Sequence, residues 1–456
     1  MRALVFGCLI LTCTPAVAQA AQSDAQHAPD RQIAEALKNV SAEHIRQLDE
    51  KLVSFGNRST LSAASKDAIA SGKGIGAARE WIRSEFERYS IACGGCLEVK
   101  TDDFIQAAGE RVAAPTEIVN VYAVLRGSDP ENAKRIYLVT GHYDSRNSSN
   151  ENTTDPAPGA NDDASGTSVS LECARVLSKY RFPATIIFLT VAGEEQGLYG
   201  SQHFAKMAKA QGWQIEGVLN NDIVGGDKSP GQDPHTVRIF SEGVQVSATE
   251  QQMRLIRATG MENDSSSREL ARYIAETGKE YLPQTFQPTL IFRGDRFLRG
   301  GDHSSFNQQG FAAVRFTEFR ENFHHQHQNV RTEDGVEYGD LPKFVDFDYL
   351  ANVARLNAAT LASLASAPAP PANPKLLTKE LENDSQITWQ PSPGGLAASY
   401  EVLWRDTTAP EWQHVQSAGS ATKVNLPVSK DNVIFGVRAV GKSGDKSLVV
   451  IPLPER

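Results

Sequence analysis

Between residues 135 and 221 the sequence swings between short apolar runs and amphipathic stretches, and this alternation constrains the fold more than any other feature. Ile136-Tyr137-Leu138-Val139 is one uninterrupted apolar run, residues 184–192 form a second that is rich in β-branched side chains, and residues 215–221 form a third. A strand that is apolar at successive positions has no face to give to water, so it must be covered on both sides. Residues 165–180 and 201–211, lying between these runs, read as helices, as do residues 77–89 with Trp81, Ile82, Phe86 and Tyr89 at helical spacing. Strands are also expected at 118–125 and 315–318, with helices at 267–280 and 347–365. The stretch 225–290 is less regular. Strand–helix alternation of this kind predicts an α/β sandwich with a largely parallel core.

The two ends of the chain read differently. Arg2, an apolar run too short to span a bilayer comfortably, and Ala-x-Ala patterns at 16–18 and 18–20 predict a secretory signal peptide cleaved near residues 18–20. A short membrane anchor is the rival reading, and the length of the run is against it. The protein is therefore expected to be secreted or periplasmic. In that setting Cys93-Gly94-Gly95-Cys96 is expected to close as a small disulfide and Cys173 to be buried. At the other end, residues 367–375 form a Pro/Ala-rich linker. Residues 376–456 then alternate in the manner of a small all-β sandwich. Trp389, Tyr400-x-x-Trp404 and Val437-x-Ala439 resemble a fibronectin type III domain. Trp412 is a candidate exposed aromatic there. A net charge of −9 without a Lys/Arg cluster argues against a nucleic-acid partner, and no later stretch is apolar enough to cross a membrane.

Potential metal ligands gather where the expected strands end. Gly141-His142-Tyr143-Asp144 follows the first apolar run. Asn161-Asp162-Asp163-Ala164-Ser165-Gly166 opens a helix. Glu194-Glu195 follows the second run, Asp222 ends the third, and Phe323-His324-His325-Gln326-His327 comes late. Any one of these has an ordinary explanation: a hydrogen-bonded His, a solvated acid pair, a helix N-cap. Together they converge on the carboxyl edge of one sheet, where open α/β folds bind their ligands. Two His and several carboxylates without a Cys ligand suit zinc in a hydrolytic site.

In order and context these motifs resemble the M28 family of metallopeptidases over residues 70–365. The resemblance implies a three-layer α/β/α zinc-exopeptidase domain (phosphorylase/hydrolase-like) over residues 21–366, with a mixed, mainly parallel sheet. It implies two zinc ions, with Asp162 bridging, His142 and Asp222 completing one site, and Glu195 and a late histidine completing the other. That histidine is one of His324, His325 and His327, and His325 is taken here. Glu194 becomes the general base and Asp144 the carboxylate that orients His142, while the Asp162–Asp163 peptide bond is expected to be cis. Asp302 or His303 is expected close behind the site. The implied activity is that of an aminopeptidase acting on peptides with a free N-terminus. A carboxypeptidase or dipeptidase, a single-zinc enzyme that cyclises N-terminal glutamine, and a metal-free receptor-like protein are the rivals.

Overall fold

The computed structural model describes residues 29–455; the expected signal peptide lies outside the described residues. The centre of the molecule is an eight-stranded sheet. Its strands are β1 (Leu97–Gln106), β2 (Thr116–Leu125), β3 (Arg135–His142), β4 (Thr185–Val191), β5 (Gln214–Asn221), β6 (Thr236–Ser241), β7 (Gln287–Ile291) and β8 (Ala313–Glu318). They lie in the order β1-β2-β4-β3-β5-β8-β6-β7. β4, β3, β5 and β8 run parallel to one another. β1 and β2 form an antiparallel hairpin on one side, and β6 pairs antiparallel to β8 on the other. The sheet is thus mixed with a parallel centre.

Both faces of the centre are covered, as the apolar runs require. Along β3, Tyr137 and Val139 join one core cluster while Leu138 joins the other. Along β4, Ile186 and Phe188 point one way and Ile187, Leu189 and Val191 the other. Helices Gly74–Ala92, Ser165–Leu177, Ser266–Tyr281 and Phe347–Ser366 supply side chains to the first, larger cluster. Tyr199–Ala210 and Asp302–Gln308 supply the second. Period-two side-chain alternation sends neighbouring residues to opposite layers, so a strand apolar at every position requires this arrangement. The stretch 225–290, irregular by sequence, contributes β6 and β7 to the main sheet, and β1 was not anticipated. Both belong to the outer part of the sheet; β1 is charged (Leu-Glu-Val-Lys-Thr-Asp-Asp) and half exposed, which hides it from a hydrophobicity pattern. Cys93 and Cys96 are joined in a disulfide and Cys173 is free and buried. Among the described residues no helix is long and apolar enough to cross a membrane.

The C-terminal residues form two further sheets, of four and three strands. Ile387, Trp389 and Leu426 from one face Val402, Phe435 and Val437 from the other. The expected extended linker is instead a packed segment. Ala367 and Ala369 are buried, Arg135 Nη1 donates to the Ala367 carbonyl at 2.9 Å, and a strand already begins at Ala372. Trp412 is not an exposed binding aromatic either. It is partly buried against the larger domain and donates from Nε1 to Glu269 at 3.0 Å.

Candidate active site and metal centre

The carboxyl ends of the parallel strands carry the expected side chains. β3 ends on His142, the chain beyond β4 turns through Glu194 and Glu195, and Asp222 follows β5. Asp162 and Asp163 come just before the helix Ser165–Leu177, joined by a cis peptide bond. A glycine at 166 is what lets these pieces meet. A Cβ there would lie 2.2 Å from the Asn221 carbonyl oxygen and 2.5 Å from Asp163 Oδ2, well inside van der Waals contact. Asp163 ties the pieces together, accepting from His142 N at 2.9 Å and Gly166 N at 2.9 Å.

Two groups of ligand-capable side chains result, His142 with Glu194 and Asp222, and Asp162 with Glu195 and His327. Within each, the potential ligand atoms lie within 4.8 Å of one another. Asp162 faces both groups. Its Oδ1 lies 3.1 Å from His142 Nε2 and its Oδ2 lies 2.9 Å from His327 Nε2. His327 Nε2 is also 3.0 Å from Glu195 Oε1. Glu194, half-buried, stands with His142 and Asp222.

The late histidine is therefore His327, and the expectation of His325 is corrected. Each of the three histidines has its own partner. His325 is bonded through Nδ1 to the buried Asp227 and stacks on Phe344, with centroids 3.6 Å apart. His324 lies tilted against Tyr338. His327 adopts a left-handed backbone (φ 53°) and reaches the carboxylates. The choice is made by Asp227, nearly 100 residues upstream, whose carboxylate claims His325.

Several supporting residues escaped the sequence reading. Asp340 accepts from Asn161 N at 2.8 Å and Asp162 N at 2.7 Å, holding the Asp162 loop. Burial pushes its carboxyl up to about 7. Thr60 donates to Asp144 Oδ2 at 2.8 Å and accepts from Gly193 N at 2.9 Å. Arg315, fully buried, lies 2.6 Å from Asp222 Oδ1. None sits in a motif, and only tertiary contact exposes their part. Asp144 acts differently from expectation. His142 Nδ1 lies nearer the backbone oxygen of Asp144 (3.1 Å) than its carboxylate (3.4 Å), while that carboxylate accepts from Glu195 N at 3.3 Å. Asp302 and His303 are both buried here, and burial pushes the Asp302 carboxyl up to about 7.

The electrostatics show what the cluster is fitted to hold. His142 Nε2 is buried and has no hydrogen-bond partner, although it points among carboxylates. Burial disfavours a charged imidazole, yet Asp163, Asp144 and Asp162 hold His142 well above its usual range. Against the same burial, Glu195 and Asp162 hold His327 up to about 10. Burial raises Glu194 well above the usual carboxylate range; His142 opposes the shift and Asp222 and Glu195 add to it. Carboxylates placed this close together call for positive charge between them, and an oxygen- and imidazole-rich donor set without thiolate suits zinc. The residues present fit the metal.

Comparison with known proteins gives the family. The family model for peptidase family M28 matches residues 120–340. A probable zinc metalloprotease of Pyrenophora teres f. teres is 48% identical over 431 residues, covering 93% of this chain and 88% of that protein. One from Leptosphaeria maculans is 47% identical over 432 residues, covering 94% and 98%. The unmatched part of the chain is shorter than the C-terminal sandwich, so both matches extend into it. The crystal structure of the Legionella pneumophila LapA aminopeptidase shares the fold, with a TM-score of 0.52 at 22% identity over 74% of this chain and 75% of that one. Near-full-length identity to these relatives, together with ligand-bearing strand ends inside the matched segment, places the chain in peptidase family M28.

Proposed function

We propose that this zinc metallopeptidase removes residues from the free N-terminus of peptides and uses two metal ions to do so. One observation carries the proposal: Asp162 turns one oxygen toward His142 and the other toward His327, which also meets Glu195. A carboxylate placed between two such groups could serve both as a ligand. His142, Asp162 and Asp222 would hold one zinc, and Asp162, Glu195 and His327 the other. The names of the relatives, probable zinc metalloproteases, support the metal.

When bound, two zinc ions polarise the scissile carbonyl and make a water acidic enough to lose its proton near neutral pH. The chain's own residues do the rest. Glu194, raised by burial and by neighbouring acids, accepts the proton and passes it to the leaving amine. The His142 Nδ1–H donated to the Asp144 carbonyl leaves Nε2 free as a ligand. Asp340 fixes the loop of Asp162, and Arg315 fixes Asp222. The cleft over these groups is about 290 Å³, room for the end of a peptide rather than the middle of a folded chain. Its acidic floor suits a substrate α-ammonium. The Cys93–Cys96 disulfide supports the secreted or periplasmic setting expected from the N-terminus.

The test is zinc stoichiometry on the purified protein, read with hydrolysis of leucyl anilide before and after chelation and of an N-blocked peptide. Two zinc per chain, with activity lost to chelator, restored by zinc and confined to free amines, is expected. One metal or none with no free-amine hydrolysis would defeat the proposal. Cleavage of the N-blocked peptide alone would turn it into a carboxypeptidase.

A further inference from the structure

The cleft over the metal ligands is lined by four arginines, Arg111, Arg146, Arg296 and Arg299, in a chain of net charge −9. The two pairs differ. Arg296 and Arg299 are tied to Glu321 at 2.9 and 2.7 Å, and Arg296 also to Asp295. Glu321 is shared as well with Arg238 at 3.2 Å, so three guanidinium groups lean on one carboxylate and that wall keeps a positive surplus. Arg111 and Arg146 form no ion pair among the described residues. Arg111 donates from Nη1 to the backbone oxygen of Glu195 at 3.3 Å, and Arg146 from Nε to the backbone oxygen of Asn147 at 3.2 Å. Each contact uses one donor of the five a guanidinium carries and leaves most of the fork free.

An arginine at an ordinary surface loses little by standing unpaired. These two are anchored by backbone contacts in the lining of a cleft, one of them on the carbonyl of Glu195. The acids on the cleft floor, Asp162, Glu195 and Asp222, face the histidines and Arg315 and form no ion pair with either arginine. A planar fork held this way matches a carboxylate bidentately.

We infer that Arg111 and Arg146 bind a carboxylate of the substrate close to the scissile bond, so that the enzyme prefers anionic peptides. The carboxylate comes from an acidic side chain or from the free C-terminus of a very short peptide. This rests on the peptidase reading above and adds the substrate class. Arg299, a third exposed (34% of its side chain) and sharing Glu321 with two other arginines, adds to the attraction.

Three matched pairs separate the sources: Glu-Leu-amide against Gln-Leu-amide, Leu-Glu-amide against Leu-Gln-amide, and Leu-Leu against Leu-Leu-amide. In at least one pair kcat/KM should favour the carboxylate member by about ten-fold or more, the range of a charge-assisted hydrogen-bonded pair, and the preference should shrink as salt rises. The pair that responds identifies the source. The double variant Arg111→Gln/Arg146→Gln should bring that ratio close to one, whereas Arg111→Lys/Arg146→Lys, which keeps the charge but not the fork, should retain part of it. Ratios near one in all three pairs, with the neutral members hydrolysed, overturn the inference and leave the peptidase reading intact. So does a preference that survives the double Gln variant. No hydrolysis of any of the six peptides overturns the peptidase reading and the inference together.

Discussion

Two of the places where the molecule buries charge treat it in opposite ways. At the seam between the larger domain and the C-terminal sandwich, acid meets base. Arg405 pairs with Asp264, both side chains 1% exposed, and Arg272 pairs with Glu269 while donating to the Pro410 carbonyl at 2.7 Å. Arg438 lies 2.7 Å from both Glu276 and Glu401, and Lys446 lies 3.1 Å from Glu276. At the strand ends, acid meets acid: Asp162, Asp163, Glu194, Glu195 and Asp222 share one small volume with two imidazoles. Burying a charge without a partner is costly. The seam meets that requirement with partners from the same chain, and its charges fix where the sandwich sits. The metal centre meets it only in part, through Arg315 on Asp222 and through two imidazoles, and the surplus of carboxylates suits added positive charge from a metal ion. Complementary charge marks a joint, while like charge held together marks a site.

The sharpest break between the two regions should come from Glu194→Gln. Turnover should fall on the order of 10²–10⁴-fold, the range of a general base, while zinc content and thermal stability stay near wild type. Wild-type turnover in a zinc-loaded variant would remove Glu194 from the mechanism. At the seam the same kind of loss should appear in stability. Asp264→Ala leaves Arg405 buried without its carboxylate, and unfolding should cost about 3 kcal/mol less, with the specific activity of the folded fraction retained. An unchanged denaturant midpoint would show that the seam contributes nothing.

Within the site, His327→Ala should lose one equivalent of zinc and nearly all activity. His325→Ala should lose on the order of 10–100-fold, the usual effect of a residue that supports a ligand without being one. Equal zinc loss in both variants, measured by metal analysis, would return His325 to candidacy. The smallest effect is pH-dependent docking. Burial raises Glu276, but Arg438 and Lys446 more than reverse this and hold it at about 2, below its usual 4.5. A carboxyl lowered on folding stabilises above its unfolded pKa and loses that contribution as pH falls through its folded one. Docking should therefore weaken only between about pH 4.5 and 2. Glu276 is 39% exposed, so solvent screening keeps the effect small. Proteolysis of the 367–375 segment as pH is lowered, compared with Glu276→Gln, would show it as a difference confined to that window.

How much of this was legible beforehand follows from how local each determinant is. The parallel centre of the sheet was readable because β3 and β4 are apolar at successive positions, a pattern only a doubly covered strand needs. β1 was not, since its Glu, Lys and Asp residues suit a half-exposed outer strand and imitate a loop. His142, Glu194, Glu195 and Asp222 were found because each lies in or beside a strand-end turn, and Asp162 because it lies in a loop opening a helix, each with its own signature. Thr60, Asp340 and Arg315 were not, because their roles consist of contacts to residues 84 to 179 positions away and leave no local trace.

By itself the sequence determined which side chains stand at the carboxyl ends of the central strands, because strand periodicity and connection rules place them there whatever the loops do. Only the tertiary structure decided which of three neighbouring histidines reaches the carboxylates, that Trp412 faces a joint rather than solvent, and that two of four cleft arginines stay unpaired. Each of these is a competition between partners far apart in sequence: Asp227 and Phe344 against Asp162 for a histidine, Glu269 against water for an indole, Glu321 against a substrate for a guanidinium. Such competitions are settled by distance in space, which a linear pattern does not carry.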